Sequence, residues 1–211
     1  MQVDTQKKSD ALIIGNGRSR LQFDLDQLHQ LFTTYGCNAL YRDFIPDYLV
    51  SMDVAMVHEI LNSNVHHKTK FYTQYSEKAQ HRKNIGEPIY WAIQDKWMSD
   101  SGTGALRLAC MNGHKNIYMI GFDYTGHGTM IHNVYQGTPN YSNGPQTNMA
   151  NYLLTQWESR LRHYCRSYPE QNVIRINGNN FRPCCKENNF SNISVEEFNK
   201  IIGATNDRNE L

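Results

Sequence analysis

The chain has 211 residues, with 21 Lys and Arg against 20 Asp and Glu, a formal net charge of +1 and a mean hydropathy of −0.66. That length can bury the core of one α/β domain, and so even a charge balance leaves no global field to draw in nucleic acid or an anionic membrane. No apolar run reaches the roughly 18 residues of a membrane span and no apolar signal core opens the chain, so the expectation is a cytoplasmic protein with no transmembrane segment.

The five cysteines (Cys37, Cys110, Cys165, Cys184, Cys185) include no C-x-x-C pair, and the vicinal Cys184 and Cys185 are strained partners for each other. Free thiols in a reducing compartment are expected.

Residues 1–10 are polar. Ala11–Ile14 reads as a short buried strand running into Gly15-Asn16-Gly17-Arg18-Ser19. An apolar strand followed by Gly-x-Gly can present backbone amides to a phosphate, and Asn16, Arg18 and Ser19 add side-chain donors. A Gly-rich turn that binds nothing is the competing reading. Arg20 stands where a dinucleotide fingerprint needs its third glycine, and no Gly-Lys-Ser/Thr follows to make a P-loop.

Asp24 or Asp26 can cap a helix over Leu25–Tyr35, with Leu28, Leu31 and Phe32 on one face and Gly36 ending it. Cys37–Tyr41 is predicted as a second strand and Tyr48–Met52 as a third. Asp53, at the carboxyl end of the third strand, can cap a helix over Val54–Leu61, contact a ligand in the crevice outside the strand ends, or do both. His66-His67 reads as a solvated basic turn rather than a pair of metal ligands, since no carboxylate or cysteine accompanies it at ligand spacing. Strands are predicted over Phe71–Tyr75 and Ile89–Ile93, with a charged solvated stretch over Glu77–Lys83 and Trp97 packing beyond.

In the stretch Asp100–Gly113, the apolar positions Ala105, Leu106, Leu108, Ala109 and Cys110 suit a buried helix. Its small first turn, Ser101-Gly102-Thr103-Gly104, makes a second anion-friendly N-terminus, and Gly113 ends it. Asn116–Asp123 is a continuous apolar strand finishing on a carboxylate. The next segment, about 124–145, is long and rich in Gly, Asn, Tyr and His, and is read as a lid. An amphipathic helix follows over Gln146–Tyr168, then a strand over Asn172–Asn177. Ser194 and Glu197 form a capping box for a helix over Val195–Ile202. Without repeats or a domain boundary, residues 1–211 are read as one nucleotide-binding α/β domain carrying that lid.

GNGRS after strand one, CNALY, SMD and above all SGTGALRLACMNGHKNIYMIGFDY resemble the bacterial lipooligosaccharide sialyltransferases over about residues 11–165. They also resemble the related flagellar motility accessory glycosyltransferases and the archaeal 6-hydroxymethyldihydropterin pyrophosphokinases. The resemblance implies a Rossmann-like, mostly parallel α/β sheet of the variant GT-A type. It implies a cytidine-monophosphate sugar held by the Asn of the Gly loop, the Asn of the second strand and the central Ser-Gly. These fall on Asn16 (between Gly15 and Gly17), Asn38 and Ser101-Gly102, with Asp53 about where an Asn meets the nucleotide sugar. Ser19 and Asp123 complete the nucleotide-binding set expected here.

Three positions depart from the family pattern. Arg18-Ser19-Arg20 replaces Pro-Ser-Leu. No histidine stands near Gly144, where the family's catalytic base should fall. The paired phosphate-contacting tyrosines have Tyr124 and Tyr135 as their nearest counterparts. His127 and His132, in the lid, are the substitute candidates for the base.

The first expectation is therefore a glycosyltransferase passing a sugar from a nucleotide-activated donor to a glycan hydroxyl, with no metal cofactor. Asp24-Leu25-Asp26 has the spacing of a metal motif but sits at a helix start. The second is an ATP-dependent pterin pyrophosphokinase needing magnesium on Asp53 and Asp123; the third is a non-catalytic nucleotide-binding relative. Nucleic acid is not an expected partner. Trp91 and Trp97 would suit a homo-oligomer interface.

Overall fold

A computed structural model describes residues 9–73, 89–91, 100–124, 126–127, 130–131, 133–141, 147–177 and 185–203. The strands are β1 (Ala11–Ile14), β2 (Thr33–Cys37), β3 (Tyr48–Ser51), β4 (Lys70–Thr73), β5 (Ile89–Trp91), β6 (Asn116–Ile120), β7 (Gly126–His127), β8 (Met130–Ile131), β9 (Asn172–Ile176) and β10 (Phe190–Ile193). The helices are α1 (Leu25–Leu31), α2 (Val54–Asn62), α3 (Ser101–Met111), α4 (Thr147–Ser167) and α5 (Val195–Ile201). Eight strands form one sheet in the order β10-β9-β6-β1-β2-β3-β4-β5, every pair parallel, and β7 and β8 form a separate antiparallel hairpin. This is the mostly parallel α/β architecture that the sequence implies.

β1 is the centre of the sheet and is fully buried, because helices cover both faces of a parallel sheet. Ala11 and Ile13 face one side and join Tyr35, Val50, Ala105, Leu106, Met119, Leu161 and Tyr164 beneath α3 and α4. Leu12 and Ile14 face the other and join Leu28, Phe32, Ile120 and Phe198 under α1 and α5. On that same side, farther along the sheet, Leu49 and Phe71 meet Met56, Val57 and Ile60 of α2. Chain order runs outward from β1 to β5, and α3 then carries the chain back to β6 on the other flank of β1. The strand order therefore reverses between β1 and β6, which is where open α/β sheets commonly make a ligand crevice.

Several local expectations are corrected. α1 stops at Leu31, and residues 33–37 form β2, so Gly36 lies inside a strand rather than at a helix end. The apolar spacing continues through Phe32, but Thr33-Thr34-Tyr35 favours extended backbone, and pairing with β1 buries Tyr35 completely. Asn38–Arg42 is a 3-10 turn rather than strand, entered at Asn38 with φ +50. His66 lies in a 3-10 turn and is 5% exposed, not solvated, with its ring 4.0 Å from that of His67. The parallel edge strand β10 has no counterpart among the predicted elements, since its half-polar Phe-Ser-Asn-Ile has weak patterning. Asp24 does cap α1 through Gln27, and Ser194 with Glu197 does form the capping box of α5. The stretch 77–83 and Trp97 lie outside the described residues. Among the described residues, no helix is long and apolar enough to cross a membrane.

Candidate functional site

The Gly loop after β1 is fastened to the loop after β6. The Gly15 amide donates to Ile120 O at 2.8 Å and the Gly17 amide to Gly121 O at 2.8 Å. A Cβ on Gly15 or Gly17 would come within 2.5 and 2.6 Å of Gly121 O. Gly121 itself has φ +70, and a Cβ there would stand 2.5 Å from Gly15 O. These glycines therefore serve a close backbone approach, and two amides expected to face a phosphate are committed to the sheet. Asp123 completes the closure. Its Oδ2 accepts from the Ser19 amide at 3.1 Å and its Oδ1 from the Ser19 hydroxyl, so it holds the first turn of the 3-10 segment Arg18–Gln22.

A second group of polar residues gathers beside this closure, over the carboxyl ends of β1, β2 and β3. Asn38 Oδ1 accepts from Ser51 Oγ at 2.9 Å and Ser101 Oγ at 2.6 Å, and Ser101 Oγ in turn accepts from the Met52 amide at 2.9 Å. Asn38 Nδ2 reaches Asp53 Oδ2 at 3.4 Å. Asn16 Nδ2 donates to Cys37 O at 3.0 Å and to the Tyr141 hydroxyl at 3.3 Å, while Asn16 Oδ1 is buried with no hydrogen-bond partner. Tyr141 is also hydrogen-bonded to Asn38 and to the Ala39 backbone, so its hydroxyl lies between the two asparagines. Asn38 suits its left-handed backbone, which asparagine tolerates better than most residues.

Sequence supplies each of these positions through a different device. Asn16 rides on the turn from β1, Asn38 on the turn out of β2, and Ser101 on the first turn of α3. That turn is anchored by Asp100: its Oδ1 accepts from the Thr103 amide at 2.8 Å, and its Oδ2 pairs with Arg160 of α4 at 3.0 Å. Gly102 leaves room for the Phe122 ring, 3.0 Å from where a Cβ would be. Asp53 occupies the N-cap position of α2, but its side chain caps no amide there. Although that side chain meets solvent, the crevice wall withdraws water from one side of it and raises its pKa; Asp100 adds to the rise and the Asn38 amide opposes it. Burial pushes the Tyr141 phenol up to about 12, so it keeps its proton through neutral pH.

The structure thus brings together Asn16, Asn38, Asp53 and Ser101, with Gly102 next to them, and places Ser19 and Asp123 in the neighbouring closure. Of the four residues considered for catalysis, Tyr135 sets its ring 5.7 Å from that of Tyr141, Tyr124 lies in the core, and the histidine side chains are outside the description. Tyr135 is 5% exposed, and its hydroxyl is held by Asp43 Oδ2 and Arg20 Nη2, both at 2.7 Å. Burial first, and then the hydrogen bond to Asp43, push its pKa up. Tyr124 lies in the core at 7% exposure with φ +49, its ring 5.4 Å from the Arg175 guanidinium. The backbone of His127 is in β7 and its side chain is outside the description, as is all of His132. Tyr141 is the residue that sequence reasoning missed. The available signal was its place in an aromatic segment with Tyr135, but six residues separate the two and their environments are different.

The segment 133–141 is bound to the body of the domain. Val134 N donates to Asn16 O at 2.8 Å, and Arg42 reaches Thr138 Oγ1 at 2.7 Å, Pro139 O at 2.9 Å and Glu59 at 2.6 Å. An open cavity of about 700 Å³ lies between this segment and α2, lined by Arg42, Ala55, His58, Glu59 and Thr138–Asn140. Among the described residues, no group of three or more His, Cys, Asp or Glu side chains is placed to hold a metal ion.

No protein-family model matches the chain, and no curated protein matches it. Among solved structures, the chain is similar to a monofunctional α-2,3-sialyltransferase, Cst-I, from Campylobacter jejuni. The TM-score is 0.54 at 13% identity, covering 81% of this chain and 76% of that one. A second match is the sialyltransferase Cst-II, solved in complex with a trisaccharide acceptor and CMP, at a TM-score of 0.42 and 14% identity over 79% of this chain and 80% of that one. At this identity the likeness to Cst-I is one of fold.

Proposed function

We propose that this protein is a glycosyltransferase that takes a sugar from a nucleotide-activated donor, with a cytidine-linked acidic sugar the first to test, and passes it to a glycan hydroxyl. The observation that carries the reading is the polar cluster of Asn16, Asn38, Ser101, Asp53 and Tyr141 over the carboxyl ends of the central strands. The fold shared with Cst-I supports it.

In this reading the asparagine amides and Ser101 hold the nucleotide, and Asp53 accepts from a ribose hydroxyl. The bond from the anomeric carbon to phosphate breaks as the acceptor oxygen attacks, and charge grows on the departing phosphate. Tyr141, which keeps its proton, donates to that charge. His127 or His132 takes the acceptor proton. The open cavity between α2 and 138–140, whose lining includes Asn140 next to Tyr141 in sequence, is the candidate place for an acceptor sugar. No metal is needed for any of these roles. The ATP and magnesium alternative has less support, because both oxygens of Asp123 are engaged by Ser19.

A thermal-shift screen over nucleoside mono-, di- and triphosphates, with and without magnesium, tests the binding half, since a ligand of the native state raises Tm. A metal-independent shift with a cytidine nucleotide is expected, lost in Asn38→Gly, which keeps the left-handed backbone while removing the side chain. Release of nucleotide from a CMP-linked sugar in the presence of a glycan tests the transfer half. A shift confined to ATP with magnesium would replace the proposal with the pyrophosphokinase reading, and binding without transfer would leave a nucleotide-binding protein.

A further inference from the structure

Three residues of the candidate site ride on separate pieces of chain. Asp53 stands at the start of α2, Asn38 opens the 3-10 turn Asn38–Arg42, and Tyr141 belongs to the segment 133–141. Glu59 is part of the first piece and bonds to the other two. Its Oε1 accepts from the Tyr41 hydroxyl at 2.6 Å, from Arg42 Nε at 2.7 Å and from Arg42 Nη2 at 2.6 Å, all on the turn. Its Oε2 accepts from Asn140 Nδ2 at 2.6 Å, directly before Tyr141.

The carboxylate suits this work. Burial alone would raise its pKa, but hydrogen bonds from Tyr41, Arg42 and Asn140, together with the Arg42 charge, outweigh burial and hold it below the usual carboxylate range. It is therefore charged at neutral pH, and each bond to it is charge-assisted. Arg42 doubles the grip by reaching Thr138 Oγ1 at 2.7 Å and Pro139 O at 2.9 Å. Between that grip and Tyr141 the chain is tightly turned. The Tyr141 amide donates to Thr138 O and the Gly137 amide to Tyr141 O, both at 2.9 Å. A displacement at 138–140 is thus passed on to Tyr141. Tyr135, earlier in the segment, is held separately by Arg20 and Asp43.

We propose that Glu59 is the positioning residue of this site: it fixes α2, the Asn38 turn and residues 138–141 against one another and so keeps the Tyr141 hydroxyl between Asn16 and Asn38. It acts through Tyr41, Arg42 and Asn140 rather than on the ligand. The consequence for a nucleotide rests on the glycosyltransferase reading; the consequence for Tyr141 does not.

The test is nitration of the full chain by tetranitromethane at about pH 8, mapped residue by residue by mass spectrometry. The reagent attacks phenolates, and burial holds the Tyr141 phenol at about 12 against an ordinary 10.0. In Glu59→Ala, Tyr141 should be nitrated at least about tenfold faster than in wild type, while the core residues Tyr35 and Tyr118 keep their wild-type rates. Asn140→Gly keeps the left-handed backbone of that position, φ +63, and removes its bond to Glu59, so it should release Tyr141 in the same direction. It decides alone if Tyr35 and Tyr118 also react in Glu59→Ala, which would mean that variant has unfolded. Wild-type reactivity of Tyr141 in a folded variant would overturn the proposal. Titration with CMP separates the two readings. Wild type should bind, and Asn140→Gly should bind about fivefold more weakly. No binding by wild type, with Tyr141 released in the variants, would count against the glycosyltransferase reading and uphold the role of Glu59. Equal CMP affinity in wild type and Asn140→Gly would overturn that role.

Discussion

Two regions at the carboxyl edge of the sheet share a vocabulary of Gly, Ser, Asn and Asp but use it differently. Between β1 and β6, Gly15, Gly17 and Gly121 draw two backbones together, and Asp123 ties down Ser19. Beside it, over β1 to β3, Ser101 and Asp53 gather on Asn38, and the Tyr141 hydroxyl lies between Asn38 and Asn16. In the first region the polar groups satisfy the chain itself. In the second, Asn16 Oδ1 stays buried without a partner and Asp53 meets solvent. A Gly-x-Gly after a strand is thus not by itself a phosphate cradle; what matters is whether another loop has already taken its amides.

The largest effect should come from forcing the closure apart. Gly121→Ala needs a left-handed alanine and drives its Cβ into Gly15 O, so a loss of about 3 kcal/mol or more in urea denaturation is expected. A wild-type midpoint would show that the closure does not hold the edge of the sheet.

Asn38→Gly should act on the open cluster instead. Loss of one hydrogen-bonding side chain should weaken nucleotide binding by about 1.5–3 kcal/mol in calorimetry, ten-fold or more. An unchanged Kd would empty the second region of its assigned role.

Asp123→Asn sharpens the contrast. It removes the charge that holds Ser19, so stability should drop by about 1 kcal/mol while nucleotide affinity moves much less. A collapse of affinity at unchanged stability would make Asp123 a ligand residue and merge the two regions.

The mildest perturbation is acid. Burial, and then neighbouring His67, hold the His66 pKa below its ordinary value of 6.5. The unfolded chain therefore binds this proton more readily than the folded one. The stability from neutral His66 is complete above about pH 6.5 and is lost as the pH falls through that value toward the lower folded one. His66→Gln should flatten that part of a Tm-against-pH curve, whereas changes in the crevice should not.

Much of this architecture is legible residue by residue. The unbroken apolar runs of β1 and β6 require burial on both faces. Asp24 and the Ser194–Glu197 box mark helix starts, and Gly113, at φ +80, follows the end of α3. All are local devices, set by neighbours a few positions away. The gathering of Asn16, Asn38 and Ser101 was foreseen only through a resemblance, since nothing local says that three turns far apart in the chain will meet.

What the tertiary structure alone decided is which partner each polar group finds. Phe32 continues a helical pattern, yet pairing with β1 draws residues 33–37 into the sheet. Arg20, standing where a dinucleotide fingerprint needs its third glycine, is 3% exposed and pairs with Asp43, taking Tyr135 with it. Tyr141, six residues on, reaches the asparagines instead. The physical reason is the same each time. Periodicity and caps are settled within a turn or two of chain, whereas a buried hydrogen-bonding group must be satisfied by whatever the fold brings to it, and that partner can come from the other end of the sequence.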